Sequence, residues 1–348
     1  TVAEFGAVDY CAVDTFATGI YRTLTGLGSR TAAAQLSAAL LLFVGFAFAL
    51  ERLSRGRARF HHSTYRFRTL PRWKLRGARA GIAMTLCALP ILVGFVVPTS
   101  LFLRMTWLAG DERARELAWE LGKNTFFLAT VASIIAASLA VVIAYGKRQF
   151  PSPLMRLSSA IAGLGYAIPG GVVAVGVLIP TVWLDHRLGD LLDSLFGTTT
   201  GLLLSGTVVA VILGYQVRFM AVSLSIVESG LTRIRPSLDD AARLLGASST
   251  RVLFRIHLAL LRGSVLAAAL LVFVDVTKEL PATIILRPFD FDTLAVRVHQ
   301  LASDERLHEA STGALMIILV GLIPVALLSR AIGRSRPGDD KPLRDIHL

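Results

Sequence analysis

Asp275, Lys278 and Glu279 fall at i, i+3 and i+4 inside an apolar run, with Pro281 just beyond. On one continuous helix all three would share a face. Counted from Ser264, Asp275 lies about 17 Å along such a helix, near the middle of a hydrocarbon core about 30 Å thick. Charge at that depth is costly and turns towards a bundle interior or a water-filled cavity, where such residues pair. The chemistry on offer is an internal ion-pair cluster that shapes the field beside an ion path. A competing reading ends the helix at Leu280 and leaves Lys278 and Glu279 at the interface. Arg218, near the inner end of its own apolar run, is expected to snorkel to the inner surface. A second feature is Pro169-Gly170-Gly171, placed within the fourth apolar run. Proline removes a backbone hydrogen bond and the glycines loosen the helix, so the freed carbonyls need partners in protein or a wet cavity. This triplet is expected to form a pathway-lining break rather than a packing kink.

Little else in the sequence offers chemistry. No GxxxxGK[ST] string occurs, so this chain does not itself cradle ATP phosphates. His61-His62 sits among arginines and reads as a solvated pair. His186, His299 and His308 stand near carboxylates but lack metal-ligand spacing. Cys11 and Cys87 form no CxxC pair. No Ser–His–Asp arrangement can be argued, so no catalytic residue, metal site or cofactor of its own is expected. Asp290, Asp292, Asp304, Glu305 and Glu309 either face a partner or simply solvate an outer loop.

The elements that must position these residues are membrane spans. The chain is 54% hydrophobic and only 17% charged, too apolar for a soluble domain of this length. Seven runs are long enough to cross a bilayer, near 32–50, 80–103, 124–145, 160–184, 201–222, 264–286 and 310–329. With Thr1 outside, the inner segments 51–79, 146–159, 223–263 and 330–348 carry 24 Lys and Arg, against 10 in the outer segments. Carboxylates run the other way, 15 outside and 7 inside. The positive-inside rule therefore sets the N-terminus periplasmic and the C-terminus cytoplasmic, and the net charge of +12 reflects topology rather than nucleic-acid binding. The fold class is all-α, a polytopic transmembrane helical bundle in contact with membrane lipid.

Asp14-Thr15-Phe16-Ala17 aligns with Asp292-Thr293-Leu294-Ala295, each group preceding a span and then a basic stretch. Residues 1–50 are expected to be the tail of a first repeat, 51–79 a basic cytoplasmic linker, 80–330 a complete second repeat, and 331–348 a cytoplasmic tail. The chain starts at Thr1 rather than Met with no signal peptide, and the polypeptide is expected to begin earlier.

The loop 223–263 splits into two amphipathic pieces. Ser237 can cap the first, with Asp239 and Asp240 in its first turn and Leu238, Ala241, Ala242 and Leu245 on one apolar face. Gly246 suits the left-handed residue that ends such a helix. Ser248 or Ser249 can cap the second piece, where Val252, Leu253, Ile256 and Leu260 share a face. A helix–Gly–helix hairpin between spans is a rigid knob able to transmit force.

This string, DDAARLLGASSTRVLFRIHLA, resembles the "EAA" cytoplasmic loop of binding-protein-dependent ABC importer permeases. Asp240 takes the glutamate position, Ala241 and Ala242 the alanines, Gly246 the glycine, and Ile256 and Leu258 the Ile-x-Leu pair. Ala259 replaces the usual proline, which leaves the angle of the following span open. The segments LGYAIPGGVVAVGVLIP, YQVRFMAVSL and KELPATIILRPFDFDTLAVRVHQLASDER are similar to the ferric-iron permeases of Gram-negative bacteria. The resemblance implies a MetI-like helical fold in the bacterial inner membrane and a fused two-repeat subunit. It also implies two ABC ATPase subunits docked on the loop, and a periplasmic iron-binding protein that delivers the substrate. ATP would be used only by the partner subunits. Sister families carry thiamine, phosphonate or polyamine. A reading of another class is an ion-coupled secondary transporter with Asp275 as its coupling site.

Overall fold

The computed structural model describes residues 4–55, 75–109, 112–197 and 201–335. Long runs of Ala, Leu and Val favour helix here, because in hydrocarbon a helix satisfies its own backbone. The chain opens with two short helices, α1 (Gly6–Tyr10) and α2 (Phe16–Thr25), and the long α3 (Arg30–Arg55). Next, α4 (Ala78–Ile91) and α5 (Val97–Ala109) form one rod through a π turn at Leu92–Val96, just after Pro90. They are followed by α6 (Glu112–Gln149), α7 (Pro153–Ala162), α8 (Gly170–Phe196) and α9 (Val208–Thr232). Then come α10 (Pro236–Leu244) and α11 (Ser249–Val252), which continues through a second π turn at Leu253–His257 into α12 (Leu258–Thr277). The last three are α13 (Pro281–Leu286), α14 (Leu294–Ser303) and α15 (Leu307–Ser335). No strand occurs among the described residues.

Seven rods are long and apolar enough to cross a membrane: α3, α4–α5, α6, α8, α9, α11–α12 and α15. They fall on the seven apolar runs. Two runs are not single helices, however. Between α7 and α8 the chain makes a short 3-10 turn at Gly165–Ala167, and Ile168 is extended (φ −81°, ψ 126°) because Pro169 follows it. Pro169 is then the N-cap of α8, so Pro169-Gly170-Gly171 begins a helix instead of breaking one. Likewise α12 stops at Thr277, and Pro281 opens α13 at its first position, where the missing N–H is no loss. Most of the basic stretch 51–79, including His61-His62, and the tail beyond 335 lie outside the described residues.

The helices α6, α9 and α12 pack closest together. Ala129, Ala132 and Ala136 of α6 are fully buried against Val211, Tyr215 and Phe219 of α9 and Val272 and Val276 of α12. Small side chains let helices approach closely, and in lipid this packing holds a bundle together where the hydrophobic effect cannot. A second cluster continues inward through Ala140, Ala144, Leu224, Val227 and Leu261. By contrast, α4 has no buried residue, and Ile82, Met84 and Leu86 lie open on its surface. That is the surface lipid wants.

The segments before α3 and α15 share a cap. Thr15 accepts a hydrogen bond from the Thr18 N–H at the start of α2, and Thr293 accepts one from the Val296 N–H at the start of α14. Each helix has ten residues and leads directly into a long apolar helix.

Candidate functional site

Two groups of charged side chains lie where helices end. The first surrounds α10. Here α10 starts at Pro236 with Arg235 as its N-cap, so Ser237 falls in the first turn and does not cap it. Its buried face carries Asp239 and Ala242, three residues apart and thus aligned. The predicted apolar face is split: Ala242 is buried, but Leu238 is 44% exposed and Leu245 is 88% exposed, with Ala241 and the neighbouring Leu244 also open. Asp240 is exposed as well. Gly246 has φ +79°, its N–H donates to the Arg243 carbonyl, and the Ala247 N–H donates to the Ala242 carbonyl. That pair of bonds is a Schellman closure, which requires the left-handed conformation glycine adopts freely. Ser248 caps α11 through the Arg251 N–H. The second piece is not an independent helix, since α11 runs into the span, where Ile256 and Leu258 are half-buried and His257 is fully buried.

Asp239 binds two elements at once. Arg148, in the last turn of α6, donates from Nε to Asp239 Oδ2 at 2.7 Å, and His257 Nε2 meets Asp239 Oδ1 at 2.5 Å. Arg148 Nη1 also donates to the Leu231 and Ile234 carbonyls at 2.9 Å each, at and just past the end of α9. Tyr145 Oη donates to the Ser249 carbonyl at 2.8 Å and accepts from Gln149, whose amide oxygen accepts from Arg243 of α10. Burial alone would push the Asp239 carboxyl up. The hydrogen bonds from His257 and Arg148, and then their charges, outweigh it and hold the carboxyl below its ordinary value.

The second group lies deeper. Arg218 is ten residues into α9, about 15 Å along it. Its Nη1 donates to Glu279 Oε1 at 2.9 Å, with side-chain exposures of 13% and 5%. Arg218 therefore does not reach for the inner surface, because a buried carboxylate waits beside it. Glu279 Oε1 also accepts from the Ala282 N–H at 3.1 Å and so caps α13. The three charges predicted on one face are split, since the helix ends before Lys278. Lys278 pairs with Asp275 at 3.1 Å but is 63% exposed, whereas Glu279 turns to Arg218. Gly170 abuts that pair. A Cβ there would collide with Arg218 Nη1 and stand 2.7 Å from Glu279 Oε1. A pocket beside it is lined by Pro169, Gly170, Gly171, Pro281, Ile285, Phe5, Ala17 and Tyr21.

Elsewhere, Asp185 in α8 accepts from the backbone N–H groups of Leu203, Leu204 and Ser205 and from the Ser205 hydroxyl, tying down the α8–α9 loop. Asp292 pairs with Arg287, and Glu309 with Arg306, while Asp290, Asp304 and Glu305 are exposed. His299 lies 3.4 Å from Asp9 and against the Phe5 ring. Among the described residues, no cluster of His, Cys, Asp and Glu could hold a metal ion.

The sequence reading missed Asp239, Arg148 and His257 as a unit, and Arg218 as a partner. The one local signal was a basic pair, Lys147-Arg148, at the end of α6.

Comparison with known proteins follows this geometry. The chain is 25% identical over 341 residues to the Fe(3+)-transport system permease protein FbpB 2 of Haemophilus influenzae, covering 94% of this chain and 63% of that protein. It thus spans less than two thirds of that relative's length. It is 27% identical over 205 residues to the "Putative 2-aminoethylphosphonate transport system permease protein PhnV" of Salmonella typhimurium, covering 59% of this chain and 71% of the relative. Among solved structures, a chain of a bacterial alginate ABC transporter, in complex with an alginate pentasaccharide-bound periplasmic protein, shares the fold. The TM-score is 0.55 at 14% identity, over 74% of this chain and 94% of that one. No protein-family model matches the chain. The resemblance to ABC importer permeases extends along nearly the whole chain.

Proposed function

We propose that this chain is the membrane-spanning permease part of an ABC importer in a bacterial inner membrane, periplasmic at its first residues and cytoplasmic at its last. Partner subunits bind and hydrolyse ATP and dock on α10. One observation carries this reading: α10 turns Leu238, Leu244 and Leu245 outward on a short helix closed by Gly246, while its other face is locked to the bundle. An apolar tip on a rigid support fits a groove in a partner. Asp240, Ala241, Ala242, Gly246, Ile256 and Leu258 form the coupling loop in this reading. Residues 1–50 and 80–330 act as parts of two repeats.

The substrate in this reading is ferric iron handed over by a periplasmic binding protein. Similarity to the Fe(3+) permease covers 94% of the chain, against 59% for the phosphonate permease. The path runs beside Pro169, Gly170, Gly171 and Glu279, with Asp275 and Lys278 near its outer end. The test is uptake of radiolabelled ferric iron by cells carrying the protein with its ATPase and binding protein. Expected is ATP-dependent uptake that a hydrolysis-dead ATPase abolishes. Uptake of 2-aminoethylphosphonate instead would favour the phosphonate reading, which the second relative supports. Uptake that survives loss of the ATPase would point to an ion-coupled carrier and end the proposal.

A further inference from the structure

We infer that Asp239 is a positioning residue that clamps α10 to α6 and α12, so that a displacement of α10 reaches both long helices together. This inference deepens the proposed coupling role and rests on it. The geometry is specific. Asp239 is 6% exposed, and each carboxylate oxygen engages a different helix: Oδ2 takes Arg148 of α6 and Oδ1 takes His257, the residue immediately before α12. Arg148 at the same time holds the end of α9 through two carbonyls. Four chain elements therefore meet at one carboxylate, on the face of α10 opposite the exposed tip.

This buried face explains a detail that the exposed tip cannot. Asp239 and Asp240 are adjacent and chemically alike, yet only the first is buried. Asp240 stays free for a partner, while Asp239 is occupied within the chain. A carboxylate is short and planar, so it fixes two donors at defined positions, as a flexible apolar contact would not. At its other end α12 leads into the turn that carries Glu279 against Arg218. A push on the tip thus has a continuous stiff route to the buried pair.

The test uses the full-length transporter in lipid nanodiscs, with Cys11 and Cys87 replaced by serine. Nitroxide labels are placed at Leu245 and Phe150, both exposed. Pulsed electron resonance should give one narrow distance distribution in the otherwise unaltered protein and a broad one in Asp239→Asn. His257→Gln removes one contact and keeps the Arg148 pair, so it should broaden the distribution less and serves if Asp239→Asn fails to assemble. In the coupled system, Asp239→Asn should lower uptake at least tenfold while ATP hydrolysis persists, and Asp239→Glu should restore part of the uptake. A narrow distribution in both variants would overturn the clamp. Broadening with an unchanged ratio of uptake to hydrolysis would overturn its role in coupling. Absence of ATP-driven uptake in the unaltered protein would defeat the importer reading, while the distances would still decide whether Asp239 holds α10.

Discussion

The cluster around Asp239 and the pair of Arg218 and Glu279 are both buried arginine–carboxylate contacts, but they are supported differently. Arg148 uses Nε and Nη1 to bind a carboxylate and two backbone carbonyls, and a histidine meets the other carboxylate oxygen. Arg218 reaches Glu279 with Nη1, and Glu279 takes one further hydrogen bond from the Ala282 N–H. Each site also keeps buried nitrogens without a partner among the described residues, Arg218 Nε in one and Arg148 Nη2 and His257 Nδ1 in the other. The Asp239 cluster ties the end of α6, the end of α9 and the start of α12 to one short helix, α10. The deeper pair lies at three interruptions, namely the end of α12, the start of α13 and the start of α8. Buried ionic contacts with many partners rigidify, whereas one with few partners is poised to be exchanged. In the proposed reading, the knob moves as a body and the junction changes.

The largest expected effect is at the junction. Arg218→Leu leaves Glu279 as an unpaired buried carboxylate, and removing one partner of a buried pair typically costs about 3–5 kcal/mol. Membrane abundance should fall steeply. The double variant Arg218→Leu, Glu279→Leu removes both charges and should recover much of that abundance, yet leave uptake near zero. Immunoblots of membranes beside uptake assays check this. Recovery of uptake together with abundance would make the pair purely structural and dissolve the contrast with the knob. Gly170→Ala tests the same place without touching charge. Its methyl must displace Arg218 or Glu279, an overpacking cost of about 1–3 kcal/mol, so thermal stability of the purified protein should drop.

Next comes the knob. Gly246→Ala forces a residue with a Cβ into φ +79° and should cost roughly 1 kcal/mol. Uptake should fall several-fold with abundance unchanged, because only the closure of α10 is disturbed. Equal losses of uptake and abundance would show that the knob and the bundle are not separable.

Acid separates the His299 contact from the Asp239 one. Burial holds the His299 imidazole below its ordinary value, with Asp9 opposing the shift. A base whose folded value is lowered contributes stability at high pH and loses it as pH falls below its unfolded value, about 6.5. Asp239 has a depressed carboxyl value, so its contribution is present above about 3.9 and is lost as pH falls through the folded value. Hydrogen exchange should therefore loosen α1 and α14 at mildly acid pH, while α10 stays protected until pH drops below about 4. Simultaneous loss would contradict the two environments.

The contrast also shows what could be read from the sequence. The seven spans were legible because length and hydropathy decide them, and the turn at Gly246 because few residues accept positive φ. The knob's existence was legible, but its buried face was not. Asp239 and Asp240 have the same chemistry, and only contact with α6 and His257 decides which one turns inward. Leu238, Ala242 and Leu245 share a helical face by spacing, yet only Ala242 packs inward beside Asp239 while the two leucines stay open. Arg218 and Glu279 lie 61 positions apart, so no local pattern links them. Pro169 and Pro281 were read as helix breakers where each stands at a helix start. Proline signals a boundary without saying on which side the helix lies.

The smallest expected effect concerns Lys278, and it sharpens the comparison most. Had Asp275, Lys278 and Glu279 formed one cluster, neutralising any of them would disturb the other two. The helix ends at Thr277 instead, and Lys278 is 63% exposed while pairing with Asp275. A pair with one solvated partner is worth roughly 0–1 kcal/mol. Lys278→Gln should therefore leave abundance unchanged and alter uptake less than twofold, whereas Glu279→Gln should cut uptake at least tenfold. Asp275→Asn should fall between them, because it removes the charge of a side chain that is 10% exposed but whose partner, Lys278, is largely solvated. Measured side by side, the order Glu279, Asp275, Lys278 would follow burial rather than sequence proximity. Equal losses at Lys278 and Glu279 would restore the single cluster and remove Arg218 from its place as the partner that matters.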